Sequence, residues 1–285
     1  MTQIIGFHSV AQGQGKRTFS LSFAELLAKN NYNTLFIELD VFNPSLYLGH
    51  NIAHELKNLT EYVRSALNND AFQVERFAIK KSELIADKEG RKLFSNLPDK
   101  LSYLALQKDF QIDKFPVIVD STDSEAEERA HKFIQKFINA LKNSDYDYVV
   151  ISLPTEINHI FGYEIVKEVD KLINVVTVTA ARFDENTKVM QFLKKTIPSF
   201  ENKLFTLINM ASDRIDDSKY KEFVGIIGEN NHYISKFDLD RKEYELAYAF
   251  GSPAITNDVE LMALKMKIAI TPTPKKKKLF GVVGG

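Results

Sequence analysis

Residues 3–18, with the sequence QIIGFHSVAQGQGKRT, constrain the fold of this chain more than any other stretch. Residues 4–7 form a short apolar run, as expected of a strand that is buried on both faces. A loop of small residues follows and ends in Gly13-Gln14-Gly15-Lys16, after which apolar residues recur at helical spacing. Glycines let backbone N–H groups approach an anion, and a helix N-terminus and a lysine add positive charge. The stretch therefore predicts a strand, a phosphate-binding loop and a helix.

The loop departs from the common phosphate-binding pattern GxxxxGK[ST]. That pattern needs glycine at position 10 and serine or threonine at position 17, where this chain has Val10 and Arg17. Two interpretations therefore remain for the loop alone. It is either a phosphate site or a glycine turn in which Lys16 is a solvated charge. The order of strands and helices in the rest of the chain supports the phosphate site.

Composition narrows the class of protein. A length of 285 residues with 44% hydrophobic content is enough for a large core in one α/β domain. The 37 basic and 38 acidic residues nearly cancel, which argues against general affinity for nucleic acid but leaves a local basic patch open. The absence of cysteine excludes disulfides and cysteine-based chemistry. With no apolar run of ~20 residues and a strand at the very start, we expect a soluble cytoplasmic protein without a signal peptide.

Strands and helices are predicted to alternate along the chain. Further strands are predicted at residues 33–39, 101–106, 148–153, 173–178, 204–209 and 232–237, and helices at 53–69, 121–143, 160–171, 185–195, 220–228, 241–250 and 258–269. This order predicts an α/β fold, a doubly wound, mostly parallel sheet with helices on both faces. We expect one domain over residues 1–270, with an irregular charged insertion at about 70–100, and a flexible basic tail at 271–285.

Two acidic residues lie at the end of the second predicted strand, in the sequence Glu38-Leu39-Asp40. In an open parallel sheet, ligands bind beyond the carboxyl ends of the strands. Glu38 and Asp40 are therefore expected on the same side of the sheet as the glycine loop. A plain loop acid or a helix cap is the alternative interpretation of Asp40.

The C-terminal tail carries four consecutive lysines at 275–278, followed by Leu279 and Phe280. These residues could form a weak membrane contact, with lysines on anionic lipid and two apolar anchors. The alternative is a solubilising tail, which we favour because three glycines, Gly281, Gly284 and Gly285, would interrupt an amphipathic helix.

Together these motifs resemble the ParA/MinD family of P-loop ATPases with a deviant Walker A motif, over about residues 3–270. The family loop KGGxGK[ST][ST] corresponds to AQGQGKRT at 11–18, and the family's DxDP strand end corresponds to ELDV at 38–41. A later family strand of the type YDYVIIDTP corresponds to YDYVVISLP at 146–154. The family's closing A…GxP segment corresponds to residues 247–253. The resemblance implies that ATP or ADP is bound. The residues that it implicates are Gly13, Gln14, Gly15, Lys16, Arg17 and Thr18, with Asn209 of LINM contacting adenine.

Three positions depart from the family pattern. Ala11 replaces the lysine that reaches the partner's phosphates across a dimer, Arg17 replaces a magnesium-binding serine or threonine, and Ser152 replaces the Walker B-like aspartate. Arginine cannot ligate a cation, and phosphoryl transfer relies on a metal to offset developing charge. Mg²⁺ binding is therefore in doubt, with Thr18 and Glu38 left as candidate ligands, and hydrolysis is expected to be weak or absent.

Three hypotheses for function follow from the resemblance. The first, which we favour, is a degenerate ParA/MinD-like positioning or assembly factor that acts through a homodimer and a protein partner, with TadZ and CpaE as the nearest sub-type. The second is an active ATPase in which Asp40 positions the attacking water and Thr18 or Glu38 holds the metal. The third is a DNA-binding partition protein, which the near-zero net charge disfavours because such binding needs a basic footprint. If the protein also lies at the membrane periphery, the lysine-rich tail at 275–280 is the segment that would contact the lipid.

Overall fold

An eight-stranded sheet forms the centre of the computed structural model, which describes residues 2–46, 52–84, 97–107, 109–118, 125–226, 231–239 and 253–272. The strands are β1 (Gln3–His8), β2 (Thr34–Glu38), β3 (Ile79–Lys80), β4 (Leu101–Leu104), β5 (Tyr148–Ser152), β6 (Lys171–Thr177), β7 (Leu204–Ala211) and β8 (His232–Lys236). Their spatial order is β3-β4-β2-β5-β1-β6-β7-β8. All neighbours pair in parallel except β3, which runs antiparallel to β4. The glycine loop therefore leaves the sheet from a central strand.

Helices cover both faces of this sheet. They are α1 (Lys16–Lys29), α2 (Leu59–Asn69), α3 (Ala126–Lys142), α4 (Tyr163–Glu168), α5 (Ala180–Thr196), α6 (Asp217–Ile226) and α7 (Pro253–Lys265), and single 3₁₀ turns occur at Val74–Arg76, Lys81–Glu83, Ile112–Lys114 and Phe200–Asn202. Alternate strand residues point to opposite faces, so Ile5 and Phe7 of β1 pack with α1 and α7, and Ile4 packs with α2 to α5. The predicted doubly wound α/β fold is confirmed.

Several predicted boundaries were wrong, and tertiary contacts explain the differences. The helix predicted at 53–69 begins only at Leu59, because the Asn58 side chain accepts a hydrogen bond from the Glu61 N–H (2.9 Å) and caps it. The helix predicted at 160–171 is only α4, since Lys171 already belongs to β6. Conversely, the helix predicted at 185–195 starts earlier, behind a Thr179 cap.

Other ends shifted by a few residues. The strand predicted at 101–106 stops at Leu104, and the last predicted helix (258–269) is instead Pro253–Lys265. The charged stretch 70–100 contains a strand that the sequence patterns did not reveal, β3, whose two residues pair with β4. The helix predicted at 241–250, the first residues of the helix predicted at 121–143 and most of the tail lie outside the described residues.

None of the helices in the described part of the chain has the length and apolar character needed to cross a bilayer.

Candidate functional site

The glycine loop joins the carboxyl end of β1 to the N-terminus of α1. Gly13 and Gly15 both have positive φ, at 73° and 91°, a conformation that L side chains rarely adopt. Gly15 is also the N-cap of α1, and a Cβ built on it would lie 2.4 Å from the Asn209 Nδ2 atom. A Cβ on Gly13 would meet none of the described atoms within 4 Å. The positive φ angles thus favour glycine at both positions. At Gly15 the neighbouring Asn209 side chain also leaves no room for a Cβ atom.

The Asn209 side chain of β7 hydrogen-bonds to the backbone of the glycine loop. It is 1% exposed in β7, donates from Nδ2 to the Gln14 carbonyl oxygen (2.8 Å) and accepts from the Met210 N–H at Oδ1 (2.9 Å). The resemblance implied that this residue ends its strand and contacts adenine. β7 continues to Ala211, and the Asn209 amide lies against the loop backbone. The adenine contact stays a prediction. The structure therefore gives Asn209 a positioning role for the loop.

Lys16 is buried at the first turn of α1, so it is not a solvated charge. Its Nζ atom donates to Asp40 Oδ2 (3.1 Å), to the Leu153 carbonyl oxygen and to Thr155 Oγ1 (3.5 Å). Only 6% of the Lys16 side chain and 2% of the Asp40 side chain are exposed. Burial lowers the pKa of Lys16, and the negative charge of Asp40 opposes that shift. The expected proximity of Asp40 to the glycine loop is thus realised as a buried ion pair.

Arg17 of α1 and Glu38 of β2 both hydrogen-bond to the segment that follows β2. Arg17 Nη1 donates to the Asn43 carbonyl oxygen (3.0 Å). The fully buried Glu38 carboxylate accepts from the N–H and the hydroxyl of Ser45 and from the Leu46 N–H (3.2 Å). Burial raises the pKa of Glu38, and the hydrogen bonds from Ser45 and Leu46 counter that shift. Both Glu38 oxygens therefore serve local structure.

The donors around the loop fit a magnesium ion poorly. Arg17 offers no ligand atom, and Ser152, at the end of β5, has a fully buried neutral hydroxyl. Thr18, the third residue of α1, is only partly buried. Within the described ranges, no group of three or more His, Asp or Glu residues could hold a metal ion. The site has cationic groups for phosphate but few ligands for Mg²⁺.

His8 belongs to the site although the sequence analysis did not select it. It is the last residue of β1, is 1% exposed, and its Nε2 atom lies 3.3 Å from the Thr155 carbonyl oxygen. Burial and, secondarily, the positive charge of Lys16 lower the pKa of His8 to about 3. A lone histidine carries little signal in a sequence. Its position at the end of the strand that leads into the glycine loop was the only sign available.

His8 should make folding stability depend on pH. The unfolded chain binds a proton at His8 near its ordinary pKa of 6.5, while the folded chain does so only near pH 3. The free energy of unfolding should therefore fall as the pH decreases from 6.5, by about 2 kcal/mol at pH 5. Urea unfolding at pH 7.5 and pH 5 measures this loss, and His8→Gln should remove it. An equal loss in both proteins would show that other groups account for it, such as His159, whose pKa is also lowered by burial.

Comparisons with known proteins identify relatives at the level of structure. No model of a protein family matches the sequence, and no curated protein matches it significantly. A putative plasmid partition protein from Borrelia burgdorferi bound to AMPPNP aligns with 94% of this chain and 98% of its own, at a TM-score of 0.64 and 15% identity. A ParA family ATPase from Chlorobium tepidum aligns with 92% of this chain and 98% of its own, at a TM-score of 0.65 and 15% identity.

A cell-division protein gives a third alignment of the same kind. A chain of the MinC:MinD cell division protein complex of Aquifex aeolicus has a TM-score of 0.64 and 17% identity, over 95% of this chain and 98% of its own. Identities this low show a common fold and carry no residue roles with them. The chain therefore has the fold of the ParA/MinD P-loop ATPases.

Proposed function

We propose that this chain is a degenerate ParA/MinD-like protein that binds ATP or ADP at its glycine loop and hydrolyses ATP weakly or not at all. It acts as an intracellular positioning or assembly factor through a homodimer and a protein partner. The fold supports the class, the Borrelia burgdorferi structure was determined with AMPPNP, and the Aquifex aeolicus structure is a complex of two different proteins. We further propose one domain over residues 1–270, followed by a basic tail at 271–285.

The proposal depends mainly on two cations at the first turn of α1, behind a glycine loop that a Cβ at Gly15 would distort. Lys16 and Arg17 lie where the helix N-terminus already favours negative charge. Arg17 has five N–H donors, so it can hold a phosphate oxygen while Nη1 keeps its bond to Asn43. Lys16 must exchange Asp40 for the phosphate, and the nucleotide therefore competes with a buried ion pair.

Weak hydrolysis follows from the same residues. Ser152 carries a neutral hydroxyl in place of the charged carboxylate of the family pattern, and Glu38 already accepts three hydrogen bonds. Without a firmly held metal, Lys16 and Arg17 offset phosphate charge in the ground state, but no described group stabilises the charge that develops during transfer as a metal would. Ala11 supplies no charge to a partner subunit. We therefore assign Asp40 the role of Lys16 partner first, and a role toward water only if hydrolysis occurs.

Calorimetry tests the proposal. ATP and ADP are titrated into the protein with Mg²⁺ and then with EDTA, using the wild type, Lys16→Ala and Lys195→Ala, a control at an exposed lysine on α5. We expect binding that persists in EDTA and weakens about tenfold or more in Lys16→Ala, as for the loss of a charged hydrogen bond. Lys195→Ala should bind like the wild type.

Phosphate release from the same samples separates the alternatives. Binding that needs Mg²⁺, together with steady release of phosphate, would contradict the proposal and support the active ATPase, with Asp40 as the catalytic residue to test next. Absence of binding under every condition would remove nucleotide from the proposal altogether. A salt-dependent shift of arbitrary duplex DNA by the nucleotide-bound protein would favour the partition function instead.

A further inference from the structure

Arg17 lies at the position where phosphate-binding loops usually carry a metal ligand. In the pattern GxxxxGK[ST], the serine or threonine that follows the lysine places its hydroxyl on Mg²⁺. In this chain the residue after the lysine is Arg17, the second residue of α1. Its side chain has a permanent positive charge and no atom that could ligate a cation. The first turn of α1 thus contains a cation of its own where other loops bind a metal ion.

Arg17 is held by a backbone carbonyl and not by an acid. Its Nη1 atom donates to the Asn43 carbonyl oxygen (3.0 Å), and it forms no ion pair with a carboxylate in the described part of the chain. The first turn of α1 contains no acidic residue, and Lys16 precedes Arg17 directly. Two adjacent cations are unfavourable at a helix N-terminus unless an anion binds there. The guanidinium group is therefore available for phosphate.

The groups near Arg17 are unsuited to hold a divalent cation. Ser152 of β5 is in register with Glu38 of β2, so both residues lie at the same end of the sheet. The Ser152 Oγ atom is buried and neutral, and no described residue hydrogen-bonds to it. Both Glu38 oxygens already accept hydrogen bonds from residues 45–46. Burial is the main cause of the lowered pKa of Lys16 and the raised pKa of Glu38, but the charge of Arg17 also acts on both, so Arg17 is near each of them.

The two replacements at positions 17 and 152 compensate each other in charge. A metal site of the usual kind adds the double positive charge of Mg²⁺ and the single negative charge of a strand-end aspartate, which leaves a net single positive charge. Arg17 together with the neutral Ser152 adds the same net charge. A magnesium ion on the phosphates would bring further positive charge beside Lys16 and Arg17, while Asp40 and Glu38 already have partners. The site thus favours phosphate groups that carry no metal.

We propose that Arg17 is a built-in substitute for Mg²⁺, so that the glycine loop binds the metal-free form of a nucleotide and excludes its magnesium complex. The substitution rests on the proposed function, because it concerns the form of nucleotide that the same site takes. A planar guanidinium group donates parallel N–H bonds to phosphate oxygens, which a metal ion would otherwise occupy. ATP holds Mg²⁺ more tightly than ADP does, because ATP carries more negative charge. In the presence of Mg²⁺ the ligand is therefore mainly a metal-free nucleoside diphosphate.

A magnesium titration of the wild-type protein tests the proposal without any substitution. ADP is titrated calorimetrically into the full chain in EDTA and then at rising Mg²⁺, with NaCl added to keep the ionic strength constant. Because only free ADP binds, the apparent dissociation constant should rise about tenfold at the Mg²⁺ concentration that complexes about nine tenths of the ADP. Equal or stronger binding in Mg²⁺ would overturn the metal substitution and leave nucleotide binding intact. Absence of binding in both conditions would overturn the proposed function as well.

Reversing the two replacements provides the converse test. Arg17→Thr combined with Ser152→Asp supplies a hydroxyl and a carboxylate and removes the guanidinium group, so Mg²⁺ should now strengthen ADP binding. Arg182→Thr, at an arginine in the first turn of α5 whose side chain is 39% exposed, is the matched control and should keep the wild-type response to Mg²⁺.

A second variant keeps the test decisive if the double variant does not fold. Arg17→Lys retains the positive charge without the planar fork, so it should bind ADP more weakly than the wild type in EDTA and still lose affinity as Mg²⁺ rises. Stronger binding of ADP by Arg17→Lys in Mg²⁺, or continued weakening by Mg²⁺ in a folded double variant, would show that position 17 does not take the place of the metal.

Discussion

Asp40→Asn should lower the free energy of unfolding by about 3–5 kcal/mol, because it leaves the Lys16 ammonium group buried without a negative partner. The two groups are 3.1 Å apart and almost fully buried, and the remaining contacts of Lys16 are neutral oxygens of Leu153 and Thr155. Urea unfolding at pH 7.5 measures the loss. Lys16→Met in the Asp40→Asn background should recover most of it, since no buried charge remains.

An exposed ion pair provides the matched control. Asp184 and Lys188 are 2.7 Å apart on α5, but about two thirds of each side chain is exposed (65% and 73%). Asp184→Asn should therefore leave the free energy of unfolding almost unchanged. An equally small loss for Asp40→Asn would show that Lys16 reaches solvent once its partner is gone, and would argue against a strongly coupled pair.

The same substitution bears on the proposed function. If nucleotide phosphate competes with Asp40 for Lys16, removing the carboxylate should strengthen binding of ADP in EDTA even as it weakens folding. A change in the opposite direction would mean that Asp40 positions Lys16 for the phosphate. Stability and affinity, measured on one protein, therefore distinguish a competing role from a supporting one.

Gly15→Ala should cost about 3 kcal/mol of stability, whereas Gly13→Ala should cost about 1 kcal/mol. Both glycines have positive φ, which is unfavourable for alanine by about 1 kcal/mol or slightly more. Only at Gly15 would the new methyl group also lie 2.4 Å from Asn209 Nδ2, an atom that its bond to Gln14 holds in place. Urea unfolding of the two variants measures the difference, in which the shared backbone cost cancels.

Asn209→Ala provides the test of that cause. In this background the clash is absent, so Gly15→Ala should cost no more than Gly13→Ala does in the wild type. If Gly15→Ala stays equally destabilising, the loop backbone itself, rather than the contact with β7, sets the requirement for glycine.

Local sequence patterns were sufficient for the class of fold. The apolar run at 4–7, the two glycines and Lys16 predict a strand, a turn and a helix start, because each depends on residues that are close in the chain. The position of Asp40 beside the loop also followed from the sequence, since the carboxyl ends of parallel strands lie at one edge of a sheet.

Only the tertiary structure decided how these residues are used. Lys16 contacts the Leu153 carbonyl 137 residues away, and Asn209 supports the Gln14 carbonyl across 195 residues. Strand β3 exists because two residues pair with β4, and α4 is short because the chain must enter β6 beside β1. Burial, ion pairing and strand pairing depend on elements distant in sequence, and a pattern read along the chain contains no information on their distances. The sequence by itself therefore determined the fold class and the edge at which the site lies, while the tertiary structure decided which charges are buried and which partners they have.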